Sequence, residues 1–179
     1  NEELFPEQVY LHSFKKIHTE KLVKNWFSDD IESHHSSLKF VKKLIDQLNM
    51  PSTPFLISML LWVVEKNKNG SNIFNEASVV QVIIEGLLNK FGEEKKREDF
   101  DFTNLSHFLK EFAYYLDSTN NTVVTLNEFD SFKIKYFSDR GLNSKESLRA
   151  ELIEKGVLYG DSSTIGFKFD CFRAFFLAE

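Results

Sequence analysis

One cysteine, Cys171, stands alone in 179 residues. A single thiol excludes an internal disulfide and every Cys-rich zinc module. No glycine precedes a lysine, so the phosphate-cradling GxxxxGK loop is missing, and neither GxGxxG nor GxSxG occurs. There is no surplus of positive charge: 22 Lys and Arg against 27 Asp and Glu give −5, spread along both halves. That balance argues against nucleic acid held by phosphate neutralisation. The longest apolar run, Phe55 to Val64, falls well short of the ~20 residues of a membrane span and suits a buried helix. No secretory leader pattern opens the chain at Asn1-Glu2-Glu3, and the cytoplasm is the expected setting.

With 42% hydrophobic and 27% charged residues, the composition is that of a core-forming globular protein. The length suits one large domain or two small ones. The chain starts without Met and stops in the apolar stretch Phe172 to Glu179 without a C-cap glycine. It is therefore expected to be a piece of a longer polypeptide.

Val9-Tyr10-Leu11 has the β-branched and aromatic character of a single strand. From His18 the apolar spacing turns helical, with Leu22, Val23, Trp26 and Phe27 on one face. Beyond Asp29-Asp30 a second stripe runs through Leu38, Val41, Leu44, Ile45 and Leu48. Met50 to Pro54 breaks the chain; Thr53 as N-cap and Pro54 as first helical residue predict an apolar helix to about Lys66. A longer helix is expected from about Phe74 to Phe91. Gly92 to Asp99, a glycine followed by a mixed-charge run, reads as the domain boundary.

The second half has a different grammar. Leu105, Phe108, Leu109, Phe112, Ala113 and Leu116 mark an amphipathic helix, followed by the short apolar run Val123-Val124. Thr125 to Glu128 has capping-box spacing and opens a helix carrying Phe129, Phe132, Ile134, Tyr136 and Phe137. Asn143 to Glu146 repeats that logic for a helix with Leu148, Leu152 and Ile153, ended by Gly156. Val157 to Tyr159 and Thr164 to Phe169, separated by Gly160-Asp161-Ser162-Ser163, predict a β-hairpin, and a last helix starts at Asp170. The fold class expected is mainly α: a small helical bundle followed by a winged-helix domain with a short β-hairpin.

Candidate chemistry is sparse. His34-His35 with Asp29, Asp30 and Glu32 lacks HExxH spacing, and adjacent histidines on a helix point about 100° apart, so no metal site is expected. Cys171 beside Asp170 has no neighbouring histidine and reads as a buried thiol. Glu93-Glu94 lies in a polar run with nothing apolar to raise a pKa. No catalytic residue is assigned. The stretch Asn143 to Lys155, where a winged helix would read DNA, sets Lys145, Arg149 and Lys155 against Glu146, Glu151 and Glu154, a sum of zero.

Several segments together resemble one family. Val9-Tyr10-Leu11-His12-Ser13-Phe14 looks like the exit strand of a STAND-class (NACHT/NB-ARC-like) nucleotide-binding domain, and Lys24-Asn25-Trp26-Phe27 like the helix end that follows it. Asn49 to Leu60 resembles the family's "nPlllsll" helix start. Phe167 to Ala178 resembles the close of its winged helix, "F-x-H-x-x-F-x-E-F-F-x-A". The resemblance implies three parts: residues 1–17 as the exit strand of an upstream domain, 18–98 as a helical domain and 99–179 as a winged-helix domain. It implies a regulatory switch module that packs on an upstream P-loop domain of the same chain and holds the ADP-bound closed state. The module rearranges to form a homo-oligomer on activation, and microbial anti-phage defence is one setting for it. ADP or ATP with Mg is implied only for the full-length protein, where the parent would be the ATPase; this stretch is not expected to be an enzyme. The family's adenine-facing proline falls on Pro54, with Pro51 the second choice, and a plain helix start explains Pro54 equally well. The family's sensor histidine falls on Asp170, a departure, because a carboxylate repels a diphosphate. Either the sensor contact is lost, or Asp170 acts through a cation or water, or the register of the resemblance is wrong; alternatively Asp170 is simply the N-cap of the last helix, the reading favoured here. The alternative function is a winged-helix protein- or DNA-binding module without nucleotide.

Overall fold

The computed structural model describes residues 13–28, 31–48, 50–67, 76–88 and 102–179. The expected strand at Val9 to Leu11, the break at Asp29-Asp30 and the boundary at Gly92 to Asp99 lie outside them. The described residues form eight helices and one three-stranded sheet, which bears out the mainly-α class. The chain divides into two compact units, 1–73 and 74–179.

In the first unit α1 (Lys16–Trp26), α2 (Ile31–Gln47) and α3 (Pro54–Asn67) pack pairwise on one another. Val23, Phe27, Val41, Leu44 and Ile45 of the two stripes are buried, Leu22, Leu38 and Leu48 are half-buried, and Trp26 is 37% exposed. α3 is apolar around most of its girth, and Leu56, Ile57, Leu60, Leu61 and Val63 are fully buried. Its start is built as expected: the Leu56 amide donates to Thr53 Oγ1 (3.3 Å) and the Ile57 amide to the Thr53 carbonyl (3.0 Å).

The second unit holds α4 (Glu76–Leu87), α5 (Phe102–Ser118), β1 (Val123–Thr125), α6 (Leu126–Asp139), α7 (Leu148–Glu154), β2 (Leu158–Gly160), β3 (Thr164–Phe167) and α8 (Asp170–Ala178). The strands are antiparallel in the order β1-β3-β2, with Val123 opposite Gly166 and Leu158 opposite Phe167. Helix, strand, helix, helix, hairpin, helix is winged-helix order. α4 belongs to this unit because it packs on α8.

Phenylalanine is spent on this core. Phe108 and Phe112 of α5 meet Phe129 of α6 edge to face at 6.0 and 5.2 Å, and Phe112 also lies 5.7 Å from Phe167. The six apolar positions expected on α5 are its six buried residues. On α6 the inward face is Phe129, Lys133, Tyr136 and Phe137. Ile134, apolar on the same helix, is 60% exposed. Five residues past Phe129 at about 100° each turns it some 140° away from the core. Lys133 enters because its amine pairs with Asp130 at 3.0 Å.

Candidate functional site

The residues singled out by resemblance fall in different units. Pro54 is the first residue of α3 in the first unit, half-buried, with Phe55 beside it 39% exposed. The loop before it is tied down: the Phe14 amide donates to the Ser52 carbonyl, and the Thr53 amide to the Pro51 carbonyl at 2.7 Å. Pro51 itself is exposed. An apolar edge is thus presented at the helix start.

Asp170 belongs to the second unit, at the entrance of α8. Its assignment as N-cap is corrected by one residue. Phe169 is the cap, with extended backbone (φ −136°, ψ 143°) and no side-chain hydrogen bond, and Asp170 is the exposed first helical residue. Phe169 lies two residues past the end of β3, and its ring packs edge to face on Phe172 at 5.1 Å. A carboxylate there still meets the positive end of the helix dipole. It already occupies the place that would favour an anion, so direct contact with a diphosphate is repulsive. Next to it, Cys171 is half-buried, and burial pushes its thiol up to about 11. It stays protonated at neutral pH and is no nucleophile.

The hairpin turn is held by one carboxylate. Asp161 Oδ1 accepts from the Ser163 and Thr164 amides, both at 2.7 Å, and from the Ser163 hydroxyl at 2.9 Å. The Ser163 amide first, then the Thr164 amide, pull its pKa down to about 2. Asp161 is therefore ionised at any physiological pH, and its charge is absorbed by the turn itself.

α7, where a winged helix would face DNA, starts later than its spacing suggests. Asn143 to Lys145 is not helical, Ser147 is the N-cap without a side-chain bond, and Leu148 is the first helical residue. Burial of Leu148 and Leu152, one turn apart, overrides the local capping signal. Its basic side chains are answered within the unit: Lys145 pairs with Glu151 at 2.8 Å, Lys155 with Glu151 at 3.8 Å and Arg149 with Asp130 at 3.9 Å. Cations engaged in this way add little to phosphate binding.

The hairpin turn, α7, Asp170 and Cys171 lie within one sequence match, and Pro54 lies outside it. Residues 122–177 match the family model described as Novel STAND NTPase 4. The match supports a STAND NTPase relationship for the winged-helix stretch, covers less than half of the chain, and does not single out the NACHT or NB-ARC branches. No curated protein and no solved structure matches the chain significantly. Among the described residues no helix is long and apolar enough to cross a membrane.

Two features escaped the sequence reading. One is Glu85 of α4, buried and accepting from Gln81 Nε2 at 3.0 Å. A single acid in the run Val79 to Leu88 was its only trace in the sequence. The other is a groove of about 570 Å³ between α5 and α6. No local spacing announces it, because it exists only where two helices meet.

Proposed function

We propose that this chain is a regulatory nucleotide-switch module of a STAND signalling ATPase of the NACHT-like kind. It would pack on an upstream P-loop domain, hold the ADP-bound closed state and rearrange for oligomerisation, with anti-phage defence a role by analogy only. The observation that carries the reading is the overlap of the family match at 122–177 with the part of the winged-helix order that runs from β1 into α8, with α5 lying before the match. The half-buried Pro54 and exposed Phe55 supply an apolar edge of the kind an adenine ring needs, and Asp170 is proposed to sense phosphate only through a cation or water. The module itself is proposed to be non-catalytic, with ADP or ATP and Mg bound only in the full-length protein.

Nucleotide shifts such a switch only by binding its two arrangements unequally. The contact of α4 with α8 constrains where a swing would occur. The natural full-length chain tests the reading: it is purified, denatured, and the released nucleotide identified by chromatography. Stoichiometric ADP or ATP is expected. A folded parent that releases none leaves the alternative, a winged-helix binding module without nucleotide.

A further inference from the structure

The groove of about 570 Å³ between α5 and α6 has mixed walls of aromatic and charged side chains. Glu111 of α5 and Arg140 at the end of α6 meet across it, and its lining runs to Ser118 on α5 and back to Asn127 on α6. At 1.5 Å per residue this is roughly 10 Å of α5 against roughly 20 Å of α6, room for two to three helical turns. The floor is aromatic: Tyr115 and Phe132 stack at 5.1 Å, and Tyr136 lies beside them. Tyr114 stands on the rim, 68% exposed, a large ring left uncovered.

Charge selects the occupant. Glu111, Glu128 and Asp139 line the groove against Lys135 and Arg140. Arg140 is already bound to Glu111 at 2.9 Å. Glu128, whose Oε2 accepts from the Thr125 amide and hydroxyl, has its pKa lowered by those bonds and remains ionised. One negative charge is left over. The Arg140 guanidinium lies over the Tyr136 ring at 4.0 Å and covers it, so Tyr114, Tyr115 and Phe132 are the groove's remaining rings. Stacked aromatics could hold bases, but a net negative rim repels a phosphate backbone.

We infer that the α5–α6 groove docks a short amphipathic helix of a partner protein, with apolar side chains on the aromatic floor and flanking arginines or lysines against the acidic rim. This is the helix-in-groove mode, with exposed Tyr114 as the anchor ring. The inference does not depend on the nucleotide switch, and either can fail alone.

The test uses the 179-residue chain and three probes followed by fluorescence anisotropy. The first is a helical peptide of about four turns with a leucine stripe flanked by arginines. The second is its twin with glutamates for arginines, and the third is an oligothymidine. The arginine peptide is expected to bind saturably below about 1 mM, at least about tenfold tighter than its twin at low salt, with the difference shrinking as salt rises. Tyr114→Ala and Asp139→Lys, both at exposed positions, should each weaken it several-fold with circular dichroism unchanged. No binding, equal binding of the twin, indifference to Tyr114→Ala, or preference for oligothymidine would each overturn the inference.

Discussion

Gly166 is the position at which the winged-helix sheet is most open to a single-atom test. It sits in the central strand, opposite Val123 on one side and Tyr159 on the other. A Cβ there would lie 2.7 Å from the Thr122 carbonyl oxygen and 2.9 Å from Val123 Cγ1. The first contact is with backbone, which no rotamer change relieves, so β1 must move away from β3. Overpacking of this kind costs about 2 kcal/mol, and for a unit of this size Gly166→Ala should lower the thermal midpoint by roughly 10 °C. Val123→Ala in the same chain removes only the second contact and should restore little. Gly141→Ala is the control: it has a left-handed φ of 62° but nothing within 4 Å, so only the backbone term of about 1 kcal/mol applies. Near-UV circular dichroism of tyrosine follows the second unit, which holds Tyr114, Tyr115, Tyr136 and Tyr159, while fluorescence of Trp26 and Trp62 follows the first. The tyrosine transition should shift and the tryptophan transition should not. If Gly166→Ala unfolds at the wild-type midpoint, the Val123–Gly166 register is wrong.

Three further outcomes follow from local chemistry. Thr125→Ala deletes the cap of α6, in which the Glu128 amide donates to Thr125 Oγ1, and should cost about 1 kcal/mol in denaturant unfolding, with the Glu128 carboxyl returning toward its ordinary pKa by NMR titration. The Asp161 carboxyl is depressed from 3.8 to about 2, so its contribution is present above pH 3.8 and is lost as pH falls through about 2. The urea midpoints of wild type and Asp161→Asn should therefore differ at neutral pH and converge across that window; parallel curves would mean the turn does not hold the charge. Cys171, pushed up to about 11 by burial, should resist a thiol reagent at mildly alkaline pH in the native chain and react once unfolded; free reaction in the native chain would mean α8 is not seated on its core.

How much of this was legible depended on the range of the interactions. Periodicity along one helix sufficed for α5, whose six inward residues recur at helical spacing whatever they pack against. Thr53 and Thr125 capped as expected because a cap is satisfied within three residues. The hairpin was readable because Asp161 closes its own turn. The candidate positions Pro54 and Asp170 could be placed on helix starts, but their surroundings could not be read, since resemblance assigns a position and not an environment.

Where partners are distant in sequence, only the tertiary structure decided. Lys133 went in and Ile134 out because the phase of α6 is set by Phe108 and Phe112 across the core, and Asp130 was there to take the amine. α7 began at Leu148 rather than at the capping signal because two buried leucines outweigh one exposed cap. α4 joined the winged-helix unit through α8, far along the chain, and the α5–α6 groove arose from helix packing alone. The sequence by itself determined the elements, since hydrogen bonds and apolar periodicity act over a few residues. Which faces they bury, and which surface is left for a partner, depended on contacts that form only once the chain has folded.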